Sequence, residues 1–158
     1  MQGLVIQNNG NIYLVQLQTV VSVECRIKGN FRLKGIRSTN PIAIGDNVLV
    51  DLQTNGHSFI YDICDRKNYI VRKSSNLSKH SHIIGANIDL AILVVTVNYP
   101  ETSTGFIDRF LVSADAYHVP VIIVFNKVDL YIENERNYLD ALKQLYQHIG
   151  YRCIETSV

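Results

Sequence analysis

The spacing of apolar residues changes near residue 88, and this change constrains the fold more than any other feature of the chain. Before it, apolar and polar residues alternate over short stretches, as in residues 25–28 and 31–34. After it, residues 90–97 form a continuous apolar run, and apolar residues then recur at helical spacing. Alternation is typical of a half-buried strand, whereas a continuous run is typical of a parallel strand buried on both faces. The sequence therefore predicts two regions of different fold class.

The first region, residues 1–72, is predicted to be all-β. An Asn-Asn-Gly-Asn turn at residues 8–11 separates two strand patterns and is typical of a β-hairpin. Several short strands in so short a region predict a small closed barrel, with the OB-fold as the first candidate and an SH3-like barrel as the alternative. The predicted strands lie at residues 4–6, 12–17, 20–28, 31–34, 48–52 and 58–63.

Residues 73–87 begin with a polar, Ser-rich stretch that is typical of a linker. We therefore expect an OB-fold barrel at residues 1–72, a linker at residues 73–87 and an α/β domain at residues 88–158. The charge distribution supports this division. Residues 1–85 contain ten Lys and Arg against five Asp and Glu, whereas residues 86–158 contain five against nine.

The second region is predicted to be a partial parallel sheet. Strand patterns at residues 90–97, 121–125 and 151–155 alternate with two helical patterns, and Gly150 suits the position just after the second helix. A β-α-β-α-β order implies right-handed crossovers and parallel strands. Ligands of such sheets bind at the carboxyl ends of the strands, which here are Asn98, Asn126 and Thr156.

The polar residues after the second strand are suited to holding a guanine base. The carboxylate of Asp129 can accept hydrogen bonds from guanine N1–H and from the exocyclic amine, whereas adenine would leave it unpaired. The stem of Lys127 can lie across the base, and the Asn126 amide can bond the base and fix neighbouring loops. A polar turn that merely closes a strand is the alternative for this tetrapeptide alone. A backbone N–H for guanine O6 is expected from the next strand end, at Thr156, Ser157 and Val158.

These residues resemble two guanine-binding motifs of GTPases, N-K-x-D at residues 126–129 and the E-T-S-A type at residues 155–158. No Gly-Lys dipeptide occurs in the chain, so a P-loop is absent, and a basic barrel precedes the motifs instead. This order resembles the circularly permuted GTPases, and in particular the ribosome small subunit-dependent GTPase A (RsgA) family. Residues 66–72, 86–89 and 106–111 also resemble segments of that family.

The resemblance implies an all-β OB-fold barrel followed by part of a circularly permuted P-loop GTPase domain. It implies GTP hydrolysis in late maturation of the small (30S) ribosomal subunit, with the barrel on ribosomal RNA and GTP or GDP bound with Mg²⁺. The family's zinc-binding domain, P-loop and switches are not in this chain, and no catalytic or metal-ligating residue can be assigned. We therefore expect weak nucleotide affinity and no GTPase activity from these residues alone. The strand pattern still runs near Val158, so we expect the sheet to continue in a longer protein.

The dense basic stretch in the barrel region is the candidate RNA-binding surface. Phosphate contacts need Lys and Arg side chains, although a solvated strand face would have the same composition. The second functional hypothesis is accordingly an RNA-binding module without nucleotide chemistry, and a third, weaker one is an unrelated doubly wound enzyme. The candidate RNA-binding residues are Arg26, Lys28, Arg32, Lys34 and Arg37.

The remaining composition predicts an intracellular protein. The three cysteines include no C-x-x-C pair, which favours buried thiols in a reducing compartment over a disulfide framework or a zinc site. The most apolar stretch is about half the ~20 residues that a membrane span needs, and no secretory signal is visible at the start. We expect a cytoplasmic monomer whose partners are the small ribosomal subunit, its RNA and a guanine nucleotide.

Overall fold

Two structural units, Met1–Ile88 and Asp89–Val158, make up the chain in the computed structural model. The structure describes residues 1–19, 21–28, 41–54, 57–73 and 81–157. The division of the sequence into residues 1–72, 73–87 and 88–158 stays a prediction. Neither the length nor the hydropathy of any helix in the described part of the chain meets the requirement for a membrane span.

The first unit contains a closed five-stranded barrel. Its strands are β1 (Gln2–Asn9), β2 (Ile12–Leu17), β3 (Ser22–Ile27), β4 (Asn47–Asp51) and β5 (Ser58–Ile63). They pair in the order β1-β2-β3-β5-β4, and β4 returns to β1. Every pairing is antiparallel except that of β3 with β5. This closed barrel confirms the OB-fold prediction. The strand predicted at residues 31–34 lies outside the described residues.

Alternation of apolar and polar residues builds the barrel interior. In β2, Tyr13, Val15 and Leu17 are buried, and the residues between them are only partly buried. Gly10 adopts a φ of +69°, the left-handed conformation that glycine tolerates best, in the turn between β1 and β2. Cys25 is also fully buried, and burial raises the pKa of its thiol to about 11.

A two-stranded antiparallel ribbon follows the barrel in the first unit. It consists of β6 (Tyr69–Lys73) and β7 (Ser81–Ala86). Strand β7 lies within residues 73–87, for which the sequence predicts a linker, and residues 74–80 lie outside the described residues. Composition gives little warning of this strand, because its hydrogen bonds depend on pairing with β6 rather than on its own residues.

Polar side chains join the barrel to the chain segments just before and just after this ribbon. The Arg66 guanidinium donates to both carboxylate oxygens of Asp46, each at 2.7 Å, and Asp46 is fully buried. The Asn87 amide donates to the Gly45 carbonyl oxygen at 2.8 Å. Because charges in a protein interior need a partner, the ion pair fixes the path of the chain as it leaves the barrel.

The second unit is a three-stranded parallel sheet with two helices. Its elements are β8 (Ala91–Val95), α1 (Thr104–Ala116), β9 (Val121–Phe125), α2 (Glu133–His148) and β10 (Arg152–Glu155). The strand order is β10-β9-β8, with both pairings parallel, which confirms the predicted β-α-β-α-β arrangement. Ser103 caps α1 by accepting a hydrogen bond from the Phe106 amide, and Gly150 follows α2 with a φ of +103°.

Both helices cover the same face of this sheet. Buried residues of α1 and α2 form one cluster with Leu93 of β8 and Ile123 of β9, as right-handed crossovers between successive neighbouring strands require. The opposite face of β8 is open, since Ile92 is 63% exposed and Val94 is 57% exposed. The prediction that this strand is buried on both faces is therefore wrong for the described residues.

Candidate guanine-binding site

The ends of β9 and β10 bring together the polar residues that the sequence singles out. The backbone N–H of Asn126 donates to the Val95 carbonyl at the end of β8, at 2.9 Å. The Thr156 hydroxyl lies 3.1 Å from the Asn126 side-chain oxygen, to which it donates. Because Asn126 contacts its neighbours on both sides, it fixes the three strand ends relative to one another.

Lys127 turns the chain sharply at this edge. Its backbone adopts φ 63° and ψ 31°, the left-handed region, which costs a non-glycine residue about 1–2 kcal/mol. Its N–H donates to the Asn126 side-chain oxygen at 2.8 Å, and its ammonium donates to the Tyr99 carbonyl oxygen in the loop after β8. Strained backbone of this kind persists only where surrounding contacts hold it, and it is common at functional sites.

Asp129 and Ser157 meet across the gap between the two strand ends. Asp129 lies in a short 3₁₀ turn, Val128–Leu130, and is exposed. The Ser157 hydroxyl donates to Asp129 Oδ1 at 2.5 Å. A carboxylate has about four acceptor positions on its two oxygens, so this bond orients the group without using up its capacity.

At the end of β10, the sheet already uses one of the backbone N–H groups that the sequence predicts as donors to a guanine base. The Thr156 N–H donates to the Phe125 carbonyl at 2.8 Å, so it belongs to the sheet and is not free for a ligand. The Thr156 carbonyl also accepts the Val128 N–H at 3.3 Å. Thr156 therefore contributes a side-chain hydrogen bond to Asn126 at this strand end rather than a backbone donor. Ser157 is the remaining described candidate for the backbone donor, because Val158 lies outside the described residues.

Two further side-chain contacts stabilise the carboxyl ends of the strands. The Asn98 amide donates to a Glu135 carboxylate oxygen at 2.6 Å, while the other oxygen of Glu135 accepts the Ile132 N–H at the start of α2. On the other side, Lys143 of α2 forms an ion pair with Glu155 at the end of β10. The hydrogen bond that the Lys143 ammonium donates to the Glu155 carboxylate raises the pKa of Lys143. The loops that carry the polar residues are thus held by α2 as well as by the sheet.

Sequence reasoning missed Tyr131, which is buried beneath this loop with 5% of its surface exposed. Its hydroxyl donates to the Asn126 carbonyl at 2.6 Å and accepts the Val97 N–H at 2.8 Å. The signal for it was weak, namely a tyrosine two positions after Asp129. A buried tyrosine hydroxyl needs a hydrogen-bond partner, so its place beside polar loop residues is the only hint.

Only part of the candidate RNA-binding surface falls within the described residues. Arg26 and Lys28 are exposed at the end of β3, and Arg26 lines an open groove of about 710 Å³ beside the β1–β2 turn. Arg32, Lys34 and Arg37 lie outside the described residues. The structure therefore leaves two of the five basic candidates on one described surface.

The family model described as the RsgA GTPase matches residues 63–158, and the RsgA N-terminal domain model matches residues 2–60. The chain belongs to the RsgA GTPase family. Among curated RsgA relatives, it is 64% identical over 157 residues to "Small ribosomal subunit biogenesis GTPase RsgA 2" of Bacteroides thetaiotaomicron. It is 59% identical over 157 residues to "Small ribosomal subunit biogenesis GTPase RsgA" of Phocaeicola vulgatus. Each alignment covers 99% of this chain and 51% of the relative.

Solved RsgA-type structures resemble the chain over its full length. The crystal structure of YjeQ from Thermotoga maritima matches with a TM-score of 0.73 and 32% identity, and that of YloQ, a circularly permuted GTPase, with 0.70 and 28%. Each match covers 99% of this chain and 51% of the solved chain. The chain thus spans about half the length of the RsgA relatives that it matches.

Proposed function

We propose that this chain supplies the guanine-recognising part of a GTPase that acts in biogenesis of the small ribosomal subunit. One observation carries the proposal: Asn126 and Asp129 after β9 are hydrogen-bonded to Thr156 and Ser157 after β10. They lie at the carboxyl edge of a parallel sheet, where such sheets bind their ligands.

Asp129 is the residue that we propose to select guanine. Its carboxylate accepts the N1–H and the exocyclic amine of the base, while Ser157 holds the carboxylate in place through one oxygen. Adenine offers neither donor in this arrangement, so its binding would leave a desolvated carboxylate unpaired. Lys127 lies beside Asp129 in the same turn, and its aliphatic stem is suited to cover one face of the base.

Base recognition is what we propose for these 158 residues themselves, and GTP hydrolysis is what we propose for the complete protein. The RsgA relatives are about twice as long as this chain. The chain contains no Gly-Lys dipeptide and hence no phosphate-binding P-loop. Without phosphate contacts, we expect a dissociation constant for GMP of about 1 mM or weaker.

Metal chemistry enters no step of this proposal. Within the part of the chain that the structure describes, no three His, Cys, Asp or Glu side chains gather as a metal site. The family resemblance implies Mg²⁺ and zinc, and we propose both for the complete protein.

Replacing the Asp129 carboxylate by an amide tests the proposal. In Asp129→Asn, the amide can donate to the C2 oxygen of xanthine and accept from its N1–H, whereas it faces guanine with a donor against a donor. We expect ligand-observed NMR titrations to show GMP affinity falling at least about tenfold and XMP affinity rising. The matched control is Asp140→Asn, an exposed carboxylate on α2, which should leave both affinities unchanged. Unchanged GMP binding by Asp129→Asn would contradict the proposal.

The barrel favours RNA as a second ligand of the same protein, and the exposed pair Arg26 and Lys28 carries this part of the proposal. A side chain that neutralises one phosphate contributes affinity that is independent of sequence and falls with salt. Arg26→Ala should therefore weaken binding of small-subunit ribosomal RNA and reduce the salt slope by about 1. If the slope does not change, Arg26 makes no phosphate contact. If the wild-type chain binds RNA but does not distinguish GMP from AMP, the result would favour an RNA-binding module without nucleotide chemistry.

A further inference from the structure

We infer that Tyr131 is a positioning residue for base recognition: its buried hydroxyl sets the conformation of the Asn126–Asp129 turn. This inference rests on the proposed function, since it concerns the same base site. Tyr131 does not itself reach the polar edge, because only 5% of its surface is exposed. It acts on the site through the backbone of Asn126.

The hydroxyl adds a second link between the ends of β8 and β9, beside the backbone hydrogen bond from the Asn126 N–H to the Val95 carbonyl. It accepts the Val97 N–H at 2.8 Å, beyond the end of β8, and donates to the Asn126 carbonyl at 2.6 Å, beyond the end of β9. Val97 is 8% exposed, so its N–H has little access to water. The hydroxyl thus donates to the partly buried Asn126 carbonyl and supplies the acceptor that the buried Val97 N–H needs.

The peptide between Asn126 and Lys127 is the element that this hydroxyl controls. Its carbonyl oxygen is held by Tyr131, and its N–H is held by the Asn126 side chain at 2.8 Å. With both ends of the peptide fixed, Lys127 is kept in the left-handed conformation at φ 63°. That conformation in turn places Asp129 opposite Ser157, because only one residue separates Lys127 from Asp129.

The conservative substitution Tyr131→Phe removes the hydroxyl and keeps the ring. The Asn126 carbonyl and the Val97 N–H then lose a partner, and the strained turn loses one of the contacts that hold it. We expect the 158-residue chain to bind GMP about tenfold more weakly, while its binding of AMP stays as weak as before. The ¹³C shifts of Lys127 should move away from left-handed values, and the Val97 amide proton should lose the downfield shift of a hydrogen-bonded N–H.

Tyr146→Phe is the matched control for a merely structural effect. Tyr146 is a tyrosine of the same unit, is 1% exposed, and donates to Asp108 Oδ1 at 3.0 Å, far along α2 from the turn. Both variants are expected to lower the free energy of unfolding, but only Tyr131→Phe should weaken GMP binding and alter the Lys127 shifts. GMP titrations and ¹³C and ¹⁵N spectra of the wild type and both variants give these readouts together.

The possible results separate this inference from the proposed function. If the wild type prefers GMP and Tyr131→Phe binds it equally well, or if both variants weaken binding alike, the inference is overturned and the proposed function stands. Unchanged Lys127 shifts in Tyr131→Phe also overturn it. If the wild type does not distinguish GMP from AMP, the proposed function fails and this inference fails with it.

Discussion

The barrel of the first unit is closed, whereas the sheet of the second unit is open, and the candidate site lies on the open one. Each barrel strand pairs on both sides, and Val5, Val15 and Ile60 at its centre are fully buried. In the described residues, β8 pairs only with β9, and its Ile92 and Val94 face outward. A closed barrel consumes its backbone hydrogen bonds internally. A parallel sheet instead ends in loops whose polar groups can meet a ligand.

The largest expected difference between the two units is the loss of unfolding free energy when a glycine with positive φ is replaced by alanine. A Cβ at Gly45 would lie 2.1 Å from the Ala86 carbonyl oxygen, and its φ is +90°. Gly150 has a φ of +103°, but no atom of the described residues lies within 4 Å of such a Cβ. We therefore expect Gly45→Ala to lower the free energy of unfolding of the barrel by about 4 kcal/mol, from backbone strain plus overpacking.

Gly150→Ala is the paired variant, since it carries the strain without the clash. It should lower the stability of the sheet unit by only about 1–2 kcal/mol. Urea unfolding followed through amide signals of each unit measures both values. Similar losses in the two variants would show that the close contact between Gly45 and Ala86 does not constrain the barrel.

The next effect concerns the buried charge pair of the first unit. Asp46→Ala leaves the Arg66 guanidinium, with 9% of its side chain exposed, without its carboxylate. Breaking such a pair from one side is expected to cost about 3 kcal/mol. Asp62→Ala is the control, because Asp62 is exposed and accepts the N–H of its neighbour Ile63 at 2.9 Å. Chemical denaturation that shows equal losses for Asp46→Ala and Asp62→Ala would contradict the assignment.

The smallest of the three expected stability losses comes from alanine substitutions that compare the two faces of β8. Leu93→Ala removes a side chain that is 6% exposed and packs in the cluster beneath the helices, so we expect a loss of about 2–3 kcal/mol. Ile92→Ala changes a side chain that is 63% exposed, and we expect a loss below about 1 kcal/mol. Thermal and urea unfolding of the two variants compare the faces directly. A large loss for Ile92→Ala would mean that the open face is covered in this chain.

Local sequence was sufficient where neighbours in the chain decide the structure. The hairpin at Gly10, the position of Gly150 just after α2 and strand β9 follow from residue type and spacing. The order of elements was enough to predict the parallel sheet, because crossover handedness leaves few alternatives.

Contacts between distant segments could not be predicted in the same way. The Asp46–Arg66 pair joins residues 20 positions apart, and the Tyr131 hydroxyl bridges two strand ends. Whether the outward face of β8 is covered depends on where both helices pack, and a continuous apolar run does not contain that information. At the candidate site, the tetrapeptide predicted side chains that the structure brings together with Thr156 and Ser157. The hydrogen bond of the Thr156 N–H within the sheet is visible only in three dimensions.

The most direct test of the account is to map where GMP contacts the 158-residue chain. In ¹H–¹⁵N NMR titrations, GMP is predicted to shift the amide signals of Lys127, Asp129 and Ser157 progressively, while equal concentrations of AMP leave them in place. Because the barrel has no proposed role in base recognition, its signals should not move with either nucleotide. Shifts that are equal for GMP and AMP would contradict the account. Shifts of barrel signals instead of those at the carboxyl ends of β9 and β10 would also contradict it.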